Sequence, residues 1–249
     1  MVDKNIINLL IQLADRYETQ DFLQGDPSWF MHQVSGIENQ ETMAFIASAL
    51  SYGNRKQFMP KIEQLLIWSG GEPQRWIENK EYEVYFSAED NECFYRLYNK
   101  GMMHSFFAAT NSLFLQYGSF CKYIEANATT GFQAIEALTK FYSSKGISGI
   151  IPQNTTSTCK RLCMFLRWMV RNSSPVDLGI WSEYIDRRTL IIPMDTHVIN
   201  QATRLGLLNN KSASMKTAIL LTDKLKQAFP DDPLKGDFAL FGYGINHGK

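Results

Sequence analysis

Apolar positions recur at three- and four-residue spacing along most of the chain, so helices are the predicted element almost throughout. Residues 4–18 place Ile6, Leu9, Leu10 and Leu13 at that spacing. Asp26-Pro27 marks a turn, with a short helical segment after it. Residues 40–53 read as a buried helix ending at Gly53, and residues 55–69 as another closed by Gly70-Gly71. Further helices are predicted over 102–117, 119–126 and 131–143. The stretch 80–96 is ambiguous, because Glu-Tyr-Glu-Val-Tyr-Phe has strand character but is short and has no obvious partner. Residues 146–158 are polar and rich in turn formers, and they precede a strong helix over 157–171 with Ser157 or Thr158 as its N-cap. Ser173-Ser174-Pro175 ends that helix, and a connection containing Trp181 follows. Pro193-Met194-Asp195 opens a helix that Gly206 closes, and two more are predicted over 213–228 and 234–245. Hardly any segment alternates with a period of two, and no repeat is visible. The expected fold class is therefore all-α: residues 1–249 as a single two-lobed helical domain with an active cleft between the lobes. The C-terminal lobe holds the helices from Lys160 onward and the early helices form the other, with the last helix a candidate to return to it.

Composition narrows the function classes. Hydrophobic residues make up 45 % and charged residues 20 %, which is ordinary for a globular protein and excludes disorder. No run of about eighteen apolar residues occurs, so no membrane partner is expected. The first fifteen residues mix charge with an amphipathic pattern and lack a signal peptide's apolar stretch, which points to the cytoplasm. Cys93, Cys121, Cys159 and Cys163 are then expected as reduced thiols. Only Cys159 and Cys163 are close in sequence, and His32, His104 and His247 have no partners at metal-ligand spacing. Neither a metal nor another cofactor is expected. The 25 basic and 25 acidic residues cancel, so any nucleic-acid face must be a local feature.

Two segments carry candidate chemistry. In the helix 157–171, Leu162, Phe165, Leu166 and Met169 form one face, and Lys160, Met164, Arg167 and Arg171 line up on the opposite stripe. No acidic residue occurs within 157–176, so pairing along the helix cannot neutralise these cations. The stripe is either a solvated face or a site for an anion such as phosphate. The discriminator is whether each of the three cations meets a carboxylate; if so, the charge argument for nucleic acid loses its support. In the second segment, Asp195 stands where a helix begins. It is either a plain N-cap, worth about 0.5–2 kcal/mol, or a catalytic carboxylate placed where the helix dipole favours negative charge.

The string Ile-Ile-Pro-Met-Asp-Thr-His-Val over 191–198, followed by Arg204-Leu205-Gly206, resembles the aspartate segment of the helix-hairpin-helix DNA glycosylases. Lysine-using members of that superfamily place a lysine near the start of the preceding long helix, which Lys160 matches. Lys160 and Asp195 are 35 residues apart. That spacing is wider than in endonuclease III and the usual 8-oxoguanine glycosylases and is similar to the archaeal 8-oxoguanine glycosylases. This resemblance covers roughly residues 145–245. The motifs C-K-R-L-x-x-F-L-R-W-M-V-R, D-x-G-x-W, I-P-M-D-T-H and D-P-L-K-G-D-F-A-L-F-G, with A-F-I-A-S-A-L-S-Y-G nearer the N-terminus, also resemble an uncharacterised bacterial family over almost the whole chain. Two departures stand out. The stretch 152–157 lacks the usual Gly-x-Gly hairpin turn, leaving Gly146 and Gly149 to serve the bend, and no cysteine follows Cys163 to hold an iron–sulfur cluster.

The resemblance implies a two-lobed glycosylase-like fold with a divergent helix-hairpin-helix. It also implies a chemistry for the matched positions: Lys160 as Schiff-base nucleophile and Asp195 as the carboxylate that stabilises positive charge on the sugar. The implied partner is double-stranded DNA carrying a damaged base, an oxidised purine such as 8-oxoguanine, bound by a monomer. Arg161, Arg167, Arg171, Thr196 and His197 are the candidates for phosphate contact. An extruded base needs a stacking pocket, for which Trp168, Trp181, Met164, Asp237, Phe238 and Phe241 are candidates. Each aromatic is equally a core residue, and Asp237 either reads a base edge or pairs with Arg167 or Arg171. Gln40, Glu41, Tyr52 and Arg55 are weaker candidates to line the same cleft. The alternatives are a glycosylase-like module that binds nucleic acid without chemistry, or a helical interaction protein unrelated to DNA.

Overall fold

The structure is a computed structural model in which residues 1–244 are described; His247 and position 245 of the predicted last helix lie outside the described residues. In chain order the helices are α1 (Lys4–Tyr17), α2 (Ile37–Leu50), α3 (Arg55–Trp68), α4 (Pro73–Glu78), α5 (Lys100–Tyr117), α6 (Phe120–Asn127), α7 (Gly131–Ser144), α8 (Lys160–Val170), α9 (Thr196–Arg204), α10 (Met215–Leu225) and α11 (Lys235–Asp237). A wider π-type turn, Phe238–Gly242, continues directly from α11. Strands β1 (Cys93–Tyr95) and β2 (Tyr98–Asn99) form a small antiparallel pair, and the fold is otherwise helical among the described residues. In the ambiguous stretch 80–96, Glu81–Val84 is a 3-10 turn and strand pairing begins only at Cys93. Tyr82 is buried, and Tyr85, three residues on, stacks on Trp68 at 4.0 Å, a spacing that a turn serves and an alternating strand does not.

The chain divides into two compact units. One contains residues 1–24, 129–135 and the chain from 155 onward; the other contains residues 25–128 and 136–154. The early helices therefore do not all group together, because α1 belongs with the C-terminal segment. The last helical segment lies in that unit too and packs against α1.

In the first unit, Asp3 caps α1 by accepting a hydrogen bond from the Asn5 amide at 2.8 Å. The helix buries Leu10, Leu13 and Ala14 and packs along the last described turns. Tyr17 lies on Gly242, where a Cβ atom would stand 2.6 Å from the ring, so only glycine permits this approach. Phe22 meets Phe238 edge-on at 4.9 Å. Helix α8 is buried from Leu162 to Val170, with Phe165 edge-on to Trp181 at 5.1 Å. Ser214 caps α10, whose Leu225 closes on Gly236.

The second unit is built around α2, which is buried on all sides from Glu41 to Leu50, as a helix with apolar residues around its whole circumference requires. Phe45 stacks with Phe106 and Tyr142 at 5.7 and 5.3 Å, and the Tyr142 hydroxyl is satisfied by Thr110 Oγ1 at 2.8 Å. Glu41 does not line a cleft. Its buried carboxylate accepts hydrogen bonds from the Phe120 and Cys121 amides at 2.8 and 3.1 Å and so closes the start of α6.

Candidate active site

The start of α8 sets the position of Lys160. The helix begins at Lys160, not at Ser157 or Thr158, and neither residue caps it. Cys159 precedes it with φ 46°, in the left-handed region. Such a conformation costs a non-glycine residue on the order of 1–3 kcal/mol and persists where the surroundings enforce it. Here Cys159 is buried, and the Cys163 thiol bonds the Thr158 carbonyl at 3.4 Å. Lys160 thus becomes the first residue of a helix that is buried from Leu162 to Val170.

Asp195 stands at the N-cap of α9 and uses both carboxylate oxygens. Oδ1 accepts a hydrogen bond from the Val198 amide at 3.0 Å, and Oδ2 accepts one from Lys160 Nζ at 3.2 Å. Asp195 is therefore an N-cap in the structure, and it also holds the lysine. The Lys160 side chain is 34 % exposed and that of Asp195 15 %. An ion pair this accessible stabilises a fold by only about 0–1 kcal/mol, so stability alone is a weak reason for it.

Arg167 and Arg171 are both buried, and neither faces solvent. Arg167 donates from Nε to Asp177 Oδ1 at 3.2 Å and from Nη1 to Asp237 Oδ2. Arg171 donates from Nε and Nη2 to Asp232 at 2.8 Å each, from Nη2 to Glu18 at 2.7 Å, and from Nη1 to Asp177. The ring of Phe238 lies beneath both guanidiniums, at 4.5 and 5.2 Å from their central carbons. The cationic stripe read from helical periodicity is thus an internal charge network. Arg167 and Arg171 are spent on carboxylates, which corrects their assignment to phosphate. With Lys160 on Asp195, all three cations meet an acid and the charge argument for nucleic acid is removed.

The same packing reassigns much of the proposed base pocket. Trp168, Trp181 and Phe238 are fully buried core residues, and Met164 is buried beside them. They present no face for a base to stack on. The Trp168 indole N–H has no acceptor among the described residues. Asp237 is buried and pairs with Arg167, which decides between its two readings. Phe241 is only partly covered and lies 6.1 Å from the exposed His197. Thr196 is exposed and Arg161 half-buried.

Burial pushes the Asp237 carboxyl up to about 6, against the opposing pull of Arg167, and the charges of Asp195 and Asp177 add to the rise. Asp177 is also raised by burial, although both arginines draw it down. For Arg171 burial works against the charge, but Asp177, Asp232 and Glu18 outweigh it and hold the guanidinium above its usual range. Glu18, Asp177 and Asp232 are absent from the sequence-based site. Two of them stood in quoted motifs, Asp177 in D-x-G-x-W and Asp232 in D-P-L-K-G-D. Among the described residues no cluster of His, Cys, Asp and Glu has the arrangement of a metal site. No helix of the described residues is long and apolar enough to cross a membrane.

The family described as proteins of unknown function, DUF2400, matches residues 26–246, and the chain belongs to it. No curated protein and no solved structure matches the chain.

Proposed function

We propose that this DUF2400 protein is a lysine-dependent DNA glycosylase of the helix-hairpin-helix kind, acting on an oxidised purine such as 8-oxoguanine in duplex DNA. The observation that carries the reading is the contact between Lys160 Nζ and Asp195 Oδ2 at 3.2 Å. An accessible amine is held at the start of one helix by a carboxylate at the start of another, in the chain order that the resemblance implies.

The chemistry follows from this pair. Once deprotonated, Nζ attacks the sugar carbon that carries the base. The N–C bond forms as the glycosidic bond breaks, and the leaving base takes the bonding pair and then a proton. Positive charge grows on the sugar as the bond lengthens, and the Asp195 carboxylate is the nearest anion to stabilise it. The amine then loses its remaining extra proton, the sugar ring opens, and the resulting Schiff base permits strand cleavage. In this reading Asp195 serves Lys160 in the free protein and the sugar in the complex. Phosphate contact falls to Arg161, Thr196 and His197, since Arg167 and Arg171 are already engaged. Phe241 remains as the partly exposed aromatic nearest His197.

Borohydride trapping on labelled duplexes tests the reading directly. Wild-type protein is expected to form a covalent adduct with an 8-oxoguanine duplex and none with undamaged DNA. Lys160→Ala is expected to form none, and Asp195→Asn to slow trapping by roughly 100-fold or more. An adduct that persists in Lys160→Ala removes Lys160 as nucleophile. No adduct with any of a broad set of lesions, combined with salt-sensitive DNA binding, supports a binding module instead.

A further inference from the structure

The network beside the Lys160–Asp195 pair contains two guanidiniums and four carboxylates, and the carboxylates are served unevenly. Asp232 accepts three contacts from Arg171, at 2.8, 3.1 and 2.8 Å. Asp177 accepts from Arg167 on one oxygen and from Arg171 on the other. Glu18 accepts from Arg171 at 2.7 Å. Asp237 is buried and, among the described residues, accepts one side-chain contact, from Arg167 Nη1 to Oδ2. With every group ionised the cluster has two negative charges in excess. A buried charge without its full complement of partners relieves the imbalance by binding a proton, and of the two carboxylates with a single donor, Glu18 and Asp237, Asp237 is the buried one.

Asp237 also has a particular place in the chain. It is the last residue of α11, and the π-type turn Phe238–Gly242 starts immediately after it. That turn places Phe238 under the two arginines and Phe241 at 6.1 Å from His197, two residues beyond Asp195. The single bond from Arg167 to Asp237 is thus the polar tie at the root of the turn.

We propose that Asp237 is a pH-operated pin: ionised, it ties the root of the turn Phe238–Gly242 to Arg167, and protonated, it loosens that tie and changes how Phe241 sits against His197. The charged and titratable groups that face Asp237 are Arg167 and Cys163 on α8, Asp177 in the following segment and Asp195 at the start of α9. Among the described residues Arg167 is the cation bonded to it. Burial lifts its titration to about 6, and repulsion from Asp195 and Asp177 acts in the same direction. The inference does not rest on the glycosylase reading, because it concerns the internal order of the turn and its test needs no DNA.

The test is a carboxyl-carbon NMR titration of protein labelled at aspartate, with a fluorinated phenylalanine at position 241 as the second probe. His197 is itself titratable, so the fluorine signal is read in a His197→Gln background. One aspartate signal, absent in Asp237→Asn, is expected to titrate near pH 6 in step with the fluorine shift. In Asp237→Asn the fluorine signal is expected to stay at its acidic-pH position throughout. The proposal is overturned if every aspartate titrates in the ordinary carboxylate range, if the raised signal survives in Asp237→Asn, or if the position-241 probe ignores pH. Should Asp237→Asn fail to fold, the probe in Arg167→Lys decides: a midpoint unchanged from wild type overturns the tie, and a shifted midpoint supports it.

Discussion

Replacing Arg171 with methionine keeps most of the side-chain volume and removes every donor. Arg171 is fully buried and supplies all the side-chain hydrogen bonds that Asp232 accepts, the Nη2 contact to Glu18, and one of the two guanidinium contacts to Asp177. In Arg171→Met, Asp177 keeps Arg167, but Asp232 and Glu18 lose their cation. Removing one partner of a buried ion pair costs about 3–5 kcal/mol, because the remaining charge is left without compensation. For a chain of this length each kcal/mol moves the melting temperature by about 2–4 °C, so a fall of roughly 6–20 °C is expected. The loss depends on pH in a defined direction. Carboxyls stranded in the interior titrate above their unfolded value of about 3.9, so the folded state binds more protons than the unfolded state between the two values. Stability relative to wild type therefore falls as pH rises through that window and recovers as pH drops. Thermal unfolding followed by circular dichroism at pH 7 and pH 5 reads both effects, and Arg171→Met/Asp232→Asn is expected to regain part of the loss. A cost below about 1 kcal/mol at pH 7, or an equal cost at both pH values, would refute the account of the network.

Two further outcomes follow from local geometry. Gly179 has φ +65°, and a Cβ there would stand 2.5 Å from the Asn172 Cα and 2.8 Å from the Arg171 carbonyl oxygen. Gly179→Ala should thus cost more than about 1 kcal/mol in chemical denaturation and clearly more than Gly206→Ala, where φ is +68° but the space is open. Native protein should show one fast thiol, the exposed Cys93, toward a colorimetric disulfide reagent at pH 8. Burial and nearby glutamates push Cys121 up to about 12, and burial raises Cys159 and Cys163, so these three should react quickly only after denaturation.

Helical periodicity was a sound guide to the elements and a poor guide to what the charged stripe of α8 does. A window along the helix sees only neighbours within a turn or two. The acids that neutralise Arg167 and Arg171 lie 6, 10, 61, 70 and 153 residues away. An arginine with no acid nearby in sequence looks the same whether it meets phosphate or a distant aspartate. The tryptophans posed a similar problem, since a stacking platform and a core residue share one chemistry and only burial separates them. The Lys160–Asp195 contact was legible because both residues sit at helix starts in a recognisable order. The grouping of α1 with the C-terminal segment left no local mark, as an amphipathic helix records that it has an apolar face but not what covers it.

That grouping imposes an order on biosynthesis. Tyr17 and Phe22 find their partners in Gly242 and Phe238, more than 200 residues further along the chain. A ribosome adding about 5–20 residues per second needs roughly ten to forty seconds to make the stretch between them. Throughout that interval the nascent α1 carries Leu10, Leu13 and Ala14 without their native cover. Residues 25–128, by contrast, emerge as an almost continuous run with most of their own unit already present. The unit that contains α1 is therefore the one that closes last, and α1 must stay soluble, or be sheltered, until residues 238–242 have been made.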